Sequence, residues 1–140
     1  MNIIGNWEGY YEYGEGYSLP QFGERVEISV VFQGNNDKFI GTVNEKPSDF
    51  SVPLEATIQG FTENELISFV KRYPKIPRFK EHGSNEIVFE HGQLEIEHMG
   101  FIDAAHNSIY GTWTITENEE DDQGTFEVTV YGIWLLKKVD

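Results

Sequence analysis

Five residues with polar functional groups occur in segments whose alternate positions are otherwise apolar. They are Tyr11, Tyr13, Lys71, Tyr73 and His98. Side chains at positions i and i+2 of a strand point to the same face, so each of these groups would lie within an apolar surface. Phenol, ammonium and imidazole groups surrounded by apolar walls are typical of a small-molecule site. We predict that these five residues, with Trp113 and Trp134, bind a ligand.

Lys71 and His98 are the most informative members of this set. A lysine on an apolar face must find a partner, reach solvent or lose its charge. Inside a binding site, Lys71 would pair with a carboxylate or phenolate of the ligand. For His98, a core histidine bonded to a tyrosine hydroxyl is favoured over a catalytic acid or base, because imidazole is both a donor and an acceptor.

A second cluster is basic. Residues 71–80 contain five of the ten Lys and Arg residues, in a segment that also contains two prolines. This segment is too long for a tight turn, so we predict a flap at a mouth of the fold, formed by Lys75, Arg78, Phe79 and Lys80. Such a flap could steer an anionic ligand inward or dock an acidic partner, and a solvated loop without function is the alternative.

The elements that position these residues follow from a period of two. Apolar and polar residues alternate in most segments, which predicts half-buried strands. The predicted strands cover 7–13, 26–32, 38–45, 54–60, 67–73, 86–89, 94–100, 109–115 and 126–136. The sequence therefore predicts an all-β fold of about eight or nine strands.

Sequential antiparallel strands with one polar face either form a sandwich or close into a barrel. Six glycines lie inside the apolar runs: Gly9, Gly41, Gly60, Gly100, Gly111 and Gly132. Barrels use glycines within strands where the strands bend sharply. We therefore predict a single domain over residues 1–140, an antiparallel up-and-down β-barrel, with a sandwich as the alternative.

All three tryptophans follow a glycine by two residues, as Gly5-x-Trp7, Gly111-x-Trp113 and Gly132-x-Trp134. The first of these opens the first predicted strand and resembles the signature of lipocalins and of the wider calycin group, which includes avidin-like barrels. The resemblance implies that Trp7 closes one end of the barrel and that a basic residue after the last strand, Lys137 or its neighbour Lys138, packs across it. Of the two we select Lys137.

The chain is also similar to short bacterial calycin-like proteins of uncharacterised function. The similarity rests on the Trp-x-Gly-x-Tyr start at 7–11, the Ile-x-Phe-x-Lys-x-Tyr strand at 67–73 and the late Gly-x-Trp. It implies the fold and no activity. Some calycin-like enzymes, the phenolic acid decarboxylases, use paired tyrosines on an early strand, and Tyr11 and Tyr13 have that spacing. The arginine and glutamate of that family have no inward counterpart, because Arg25 and Glu27 fall on a polar face.

Composition limits the partners. A net charge of −14 disfavours nucleic acid and membrane surfaces, and the absence of Cys removes thiolate zinc sites and thiol nucleophiles. The repeated Glu-His-Gly at 81–83 and 90–92 matches no ligand spacing, and residues 119–122 lack that of a calcium loop, so we predict no metal and no cofactor. The start of the chain has no signal-like segment, and we expect a cytoplasmic protein.

These observations predict a non-catalytic barrel that binds a partly aromatic or apolar ligand with an acidic group. One alternative is a protein-interaction module, of the immunity or adaptor kind, that uses an acidic surface or the basic 71–80 flap. A second alternative is a lyase or isomerase that uses the paired tyrosines. The oligomeric state does not follow from the sequence.

Overall fold

A computed structural model describes residues 1–80 and 86–139 of the chain, with Glu119 described by its backbone alone. The strands are β1 (Gly5–Tyr13), β2 (Arg25–Asn35), β3 (Lys38–Glu45), β4 (Ala56–Glu63), β5 (Leu66–Tyr73), β6 (Ile76–Phe79), β7 (Ile87–Glu90), β8 (Leu94–Asp103), β9 (Ser108–Asp121) and β10 (Gly124–Val139). A short 3-10 turn at Ala104–His106 connects β8 to β9. Within the described ranges, no helix is long and apolar enough to span a membrane.

Eight strands close into a barrel in the order β1-β10-β9-β8-β5-β4-β3-β2, and every neighbouring pair is antiparallel. The prediction of an all-β, up-and-down barrel is confirmed. The strands β6 and β7 form a separate hairpin, inserted in the chain between β5 and β8. The basic segment 71–80 is therefore the end of β5 followed by the first strand of this hairpin.

Alternation decides which residues fill the barrel. Along each barrel strand, every second side chain points inward, as in Trp7, Tyr11 and Tyr13 of β1. One end, here called the closed end, is filled by large apolar residues: Ile3, Trp7, Phe32, Phe39, Ile67, Ile109 and Leu136. The indole nitrogen of Trp7 donates to the carbonyl of Ile3 at 2.8 Å, which fixes the segment before β1 across this end.

The basic residue nearest to Trp7 is Lys138 and not the predicted Lys137. The ammonium of Lys138 lies 6.0 Å from the centre of the Trp7 ring, and it donates to the carbonyl of Asn2. The register explains the correction, since Lys138 is paired with Trp7 whereas Lys137 is paired with the outward-facing Glu8. Paired residues in antiparallel strands share a face, so Lys137 points to solvent.

Glycines make room for the indoles on neighbouring strands. Trp113 of β9 lies opposite Gly132 of β10, and a Cβ on that glycine would lie 2.1 Å from Cε2 of the indole. A Cβ on Gly100 would similarly lie 2.8 Å from the ring of Trp134. The Gly-x-Trp pattern therefore works across strands, because Trp113 covers a glycine of the adjacent strand β10 and Trp134 reaches across β9 to a glycine of β8.

Candidate ligand-binding site

The other end of the barrel, here called the open end, contains a cavity of about 260 Å³. Six of the seven predicted ligand-binding residues line it, namely Tyr11, Tyr13, Lys71, Tyr73, His98 and Trp113. Trp134 instead lines a small void of about 10 Å³ deeper in the barrel. Tyr11, Lys71 and His98 border both spaces, so they form the floor of the cavity.

The hairpin β6–β7 supplies part of the cavity wall. Pro77, Arg78, Phe79 and Ile87 line the cavity, and the Phe79 ring lies 5.6 Å from that of Phe50. Two members of the predicted mouth flap, Arg78 and Phe79, are therefore at the cavity, whereas Lys75 and Lys80 are not among the residues that line it. The flap is more apolar toward the cavity than its sequence indicated.

The centre of the site is a buried carboxylate that sequence analysis did not select. Glu45 is the last residue of β3, and its side chain is fully buried although its backbone is partly exposed. One oxygen, Oε1, accepts from the Tyr11 hydroxyl at 2.6 Å and from the backbone N–H of Val52 at 2.7 Å. The other, Oε2, accepts from the Lys71 ammonium at 3.2 Å and from the Tyr73 hydroxyl. Each oxygen thus has two donors.

Lys71 finds its partner within the protein. Besides the ion pair with Glu45, its ammonium lies 4.7 Å from the ring centres of both Tyr11 and Tyr73. A carboxylate and two aromatic faces offset the cost of burying a cation, because both interact favourably with positive charge. Lys71 faces inward as predicted, but its charge is balanced before any ligand arrives.

The tyrosines are held as neutral phenols. Burial raises the pKa values of Tyr11, Tyr13 and Tyr73, and the charge of Glu45 raises them further. Tyr13 donates its hydroxyl proton to the carbonyl of Phe50 at 2.7 Å, in the connection between β3 and β4. The network therefore fixes the connection between β3 and β4 at two points, because Tyr13 bonds Phe50 and the carboxylate of Glu45 bonds Val52.

His98 is a neutral, stacked imidazole. Burial first, and then the charge of Lys71, lower its pKa from 6.5 to about 3, although the carbonyl of Ile96 acts in the opposite direction. Nδ1 lies 3.1 Å from that carbonyl, which can only accept, so Nδ1 carries the proton. The ring stacks on Phe69 with centres 4.5 Å apart. The hydrogen bond to a tyrosine expected from the sequence is replaced by one to the backbone.

At the rim, positive charges are paired with acidic residues. One guanidinium nitrogen of Arg78 lies 2.7 Å from both carboxylate oxygens of Glu117, which also lines the cavity. The Nε of Arg78 lies 3.6 Å from Glu90, and Lys80 lies 3.4 Å from Glu86. The basic segment therefore presents little uncompensated positive charge at the mouth.

Glu45 and Glu117 are two acidic residues of the candidate site that sequence reasoning missed. Each occupies the next inward-facing position of its strand, since Glu45 lies two residues after Val43 and Glu117 lies two residues after Ile115. An acidic residue at the end of a run of alternating apolar residues could have indicated an inward-facing carboxylate. Arg25 and Glu27, by contrast, lie on the outside of β2 as expected, where Arg25 pairs with Glu12 and Glu27 with Lys46.

Among residues 1–80 and 86–139, no group of three His, Cys, Asp or Glu side chains is arranged to hold a metal ion. His82 of the first Glu-His-Gly lies outside the described residues, and His91 of the second is exposed. The imidazole of His106 bonds Asp103 at 2.7 Å on the surface, away from the cavity lining.

Comparison with protein-family models, curated proteins and solved structures finds no match to this chain.

Proposed function

We propose that this barrel binds one small, largely apolar, ring-containing molecule in the cavity at its open end. The observation that carries the proposal is the cavity of about 260 Å³, with aromatic and aliphatic walls and a polar floor. Engineered apolar cavities of about 150 Å³ hold one benzene ring. A space of this larger size suits a bicyclic compound or a substituted single ring.

We propose a ligand without the acidic group that the sequence led us to expect. That expectation treated Lys71 as an unpaired cation, whereas Lys71 lies 3.2 Å from Glu45. A ligand carboxylate would add a negative charge beside Glu45, and the described part of the chain has no buried cation besides Lys71 to balance it. Because uncompensated charge in a low-dielectric site is costly, the pairing favours a ligand without a carboxylate.

The same geometry supports a non-catalytic role. A general base needs a free lone pair within reach of the substrate proton. The carboxylate of Glu45 already accepts from Tyr11, Tyr73, Lys71 and the Val52 N–H. The paired tyrosines in turn donate their protons within the protein, which argues against their use as general acids in a lyase or isomerase.

Membership of the calycin group is part of the proposal. Eight antiparallel strands in up-and-down order, a buried Trp7 near the start of β1 and a lysine across that indole support it. Binding of a small molecule in the interior is a common use of barrels of this strand number. We also propose a cytoplasmic location, on the basis of the sequence alone.

The test is native mass spectrometry of the protein purified gently from its own cells, compared with its denatured mass. Ile115→Trp places a large ring in the cavity, and Thr112→Trp adds the same ring on the outer face of β9 as a control. We expect an added small mass on the wild type and on Thr112→Trp, and none on Ile115→Trp. A bare wild-type chain, or an adduct that survives in Ile115→Trp, would contradict the proposal.

Protein interaction is a second candidate function, favoured by an apolar strip on the outer surface. Leu66, Phe101 and Tyr110 lie opposite one another on β5, β8 and β9, and each is about half exposed. The strip fits the interaction alternative better than segment 71–80 does, because Arg78 and Lys80 there are paired with acids.

Affinity capture with matched variants tests this second candidate. Phe101→Asp places a charge in the strip. Phe126→Asp makes the same change at another exposed phenylalanine, near the start of β10 and outside the strip. A partner that is lost with Phe101→Asp and retained with Phe126→Asp would support a docking role. Equal recovery by both variants would contradict it.

A further inference from the structure

The hydroxyl groups of Tyr11, Tyr13 and Tyr73, at the polar end of the cavity, donate their protons to acceptors within the protein. A phenol has one proton to donate, and its oxygen keeps lone pairs that can accept. Tyr11 and Tyr73 donate to Glu45, and Tyr13 donates to the carbonyl of Phe50. Carboxylate and carbonyl oxygens only accept, so these three assignments are fixed. The three phenol oxygens remain as acceptors.

Two of these oxygens face each other without a proton between them. The hydroxyl oxygens of Tyr11 and Tyr13 lie 3.4 Å apart, and both side chains line the cavity. Since each proton is already directed to Glu45 or Phe50, this contact brings two acceptors together, which is unfavourable until a donor is shared between them. A single N–H or O–H of a ligand can bond both oxygens.

One further polar group of the floor, His98, has the same bias. His98 holds its proton on Nδ1 toward the carbonyl of Ile96, so its Nε2 is an acceptor. Tyr17 and Trp113 differ from it: the Tyr17 phenol lines the cavity and can donate, and the Nε1 of Trp113 has no hydrogen-bond partner among the described residues. That nitrogen is buried, and the ring edge at Cε2 packs over Gly132, so its N–H is enclosed in the wall and does not serve the cavity.

The charges of the lining residues exclude an anion rather than attract one. Lys71 is balanced by Glu45 at the floor, and Arg78 is balanced by Glu117 and Glu90 at the rim. An added carboxylate would find each lining cation already paired with an acid, and no hydroxyl proton left on Tyr11, Tyr13 or Tyr73. An uncharged donor would find acceptors and an apolar wall.

We propose that the cavity selects an uncharged aromatic compound that presents one N–H or O–H donor to the oxygens of Tyr11 and Tyr13, and that it discriminates against carboxylates. This inference rests on the proposed function, since it specifies the chemistry of the ligand in the same cavity. It reverses the polarity that the sequence indicated, from an acidic ligand to a hydrogen-bond donor.

The test compares three probes of similar size by isothermal titration calorimetry: indole, benzothiophene and benzoate. Indole has an N–H donor, benzothiophene has the same bicyclic shape without one, and benzoate carries the negative charge. We expect indole to bind about tenfold more tightly than benzothiophene, the usual worth of one net hydrogen bond. We expect benzoate to bind more weakly than either.

Two variants locate the effect. Tyr13→Phe removes one of the two facing oxygens and should reduce the preference for indole over benzothiophene to less than about threefold. Tyr110→Phe removes a hydroxyl from the outer surface and should leave the preference unchanged. Glu45→Gln removes the charge that balances Lys71 and should raise the affinity for benzoate. Glu97→Gln makes the same change of net charge at an exposed position and should not.

The outcomes separate this inference from the proposed function. Equal binding of indole and benzothiophene, or tighter binding of benzoate, would overturn the inference and leave ligand binding intact. If none of the probes binds, the inference fails. The retained mass in the native spectra of the wild type and Ile115→Trp then shows whether the proposed function fails with it. The wild-type comparison decides these outcomes even if a variant does not fold.

Discussion

The two ends of the barrel are built from the same strands and are filled in different ways. At the closed end, aromatic rings pack directly on one another, as Phe32 does on Trp7 at 6.1 Å and on Phe39 at 5.0 Å between centres. At the open end, the strands present phenols, an ammonium and the carboxylate of Glu117 around a cavity of about 260 Å³. One end is a packed core and the other is a lined space.

The difference shows how a small barrel keeps a cavity beside a core. Apolar rings fill the closed end through close packing, and their dispersion contacts need no specific bonding partner. The open end contains buried polar groups, which must be paired at defined distances, and the network around Glu45 does this. We therefore expect the two ends to respond differently to substitution.

The largest effect is expected from unpairing the carboxylate. Lys71→Met leaves Glu45 buried without its counter-charge and should lower the free energy of unfolding by about 3–5 kcal/mol. The double variant Glu45→Gln/Lys71→Met removes both charges and should lose less than half as much. Urea unfolding followed by tryptophan fluorescence measures both. A single variant that costs less than the double variant would show that the pair does not stabilise this end.

A matched pair of truncations compares the two ends along one strand. Ile109→Ala acts in the closed end, where the side chain is fully buried, and should cost about 3 kcal/mol because it leaves a void in packed surroundings. Ile115→Ala acts on the same face of β9 at the cavity, where space already exists, and should cost about 1 kcal/mol. Similar losses for the two would indicate that the cavity is closed in solution.

The third effect concerns pH. The unfolded chain protonates His98 below its ordinary pKa of 6.5, whereas the folded protein does so only near a pKa of about 3. The contribution of this neutral imidazole to stability is therefore complete above pH 6.5 and is lost as the pH falls toward 3. The stability difference between wild type and His98→Gln should decrease by about 2 kcal/mol between pH 7.5 and 5.

Equilibrium unfolding at several pH values measures this difference, with His91→Gln at an exposed position as the control. The stability difference between wild type and His91→Gln should not change comparably, because both proteins retain His98. A wild-type curve parallel to that of His98→Gln over the same range would mean that the imidazole reaches water and that its pKa is not lowered in the folded protein.

The smallest effect is expected at the rim. Arg78 and Glu117 make a close ion pair, but their side chains are 40% and 28% exposed. Solvent screens such a pair, so Arg78→Met should change the free energy of unfolding by less than about 1 kcal/mol. Lys80→Met, at the more exposed pair with Glu86, should change it less still. A loss at Arg78 as large as that at Lys71 would place the rim pair in the core network.

The fold was accessible from the sequence because period-two alternation and glycines within strands are local signals. They predicted Trp7, Tyr11 and Tyr13 on one face of β1 and Lys71 and Tyr73 on one face of β5, and the structure has each of these side chains buried. The hairpin β6–β7 was less accessible, since the sequence predicted its second strand, at 86–89, as one of the barrel strands and did not predict its first. Its strands are four residues each, which is too short for a clear alternation in a segment with two prolines.

By itself, the sequence determined an up-and-down barrel of about eight or nine strands and the inward direction of most site residues, because each depends on neighbours along the chain. Only the tertiary structure decided what the inward charges do. Glu45 lies 26 residues from Lys71 and 34 from Tyr11, and closure of the barrel brings them together. An inward lysine reads as a binding cation until its partner is known, and that partner is set by contacts between distant strands.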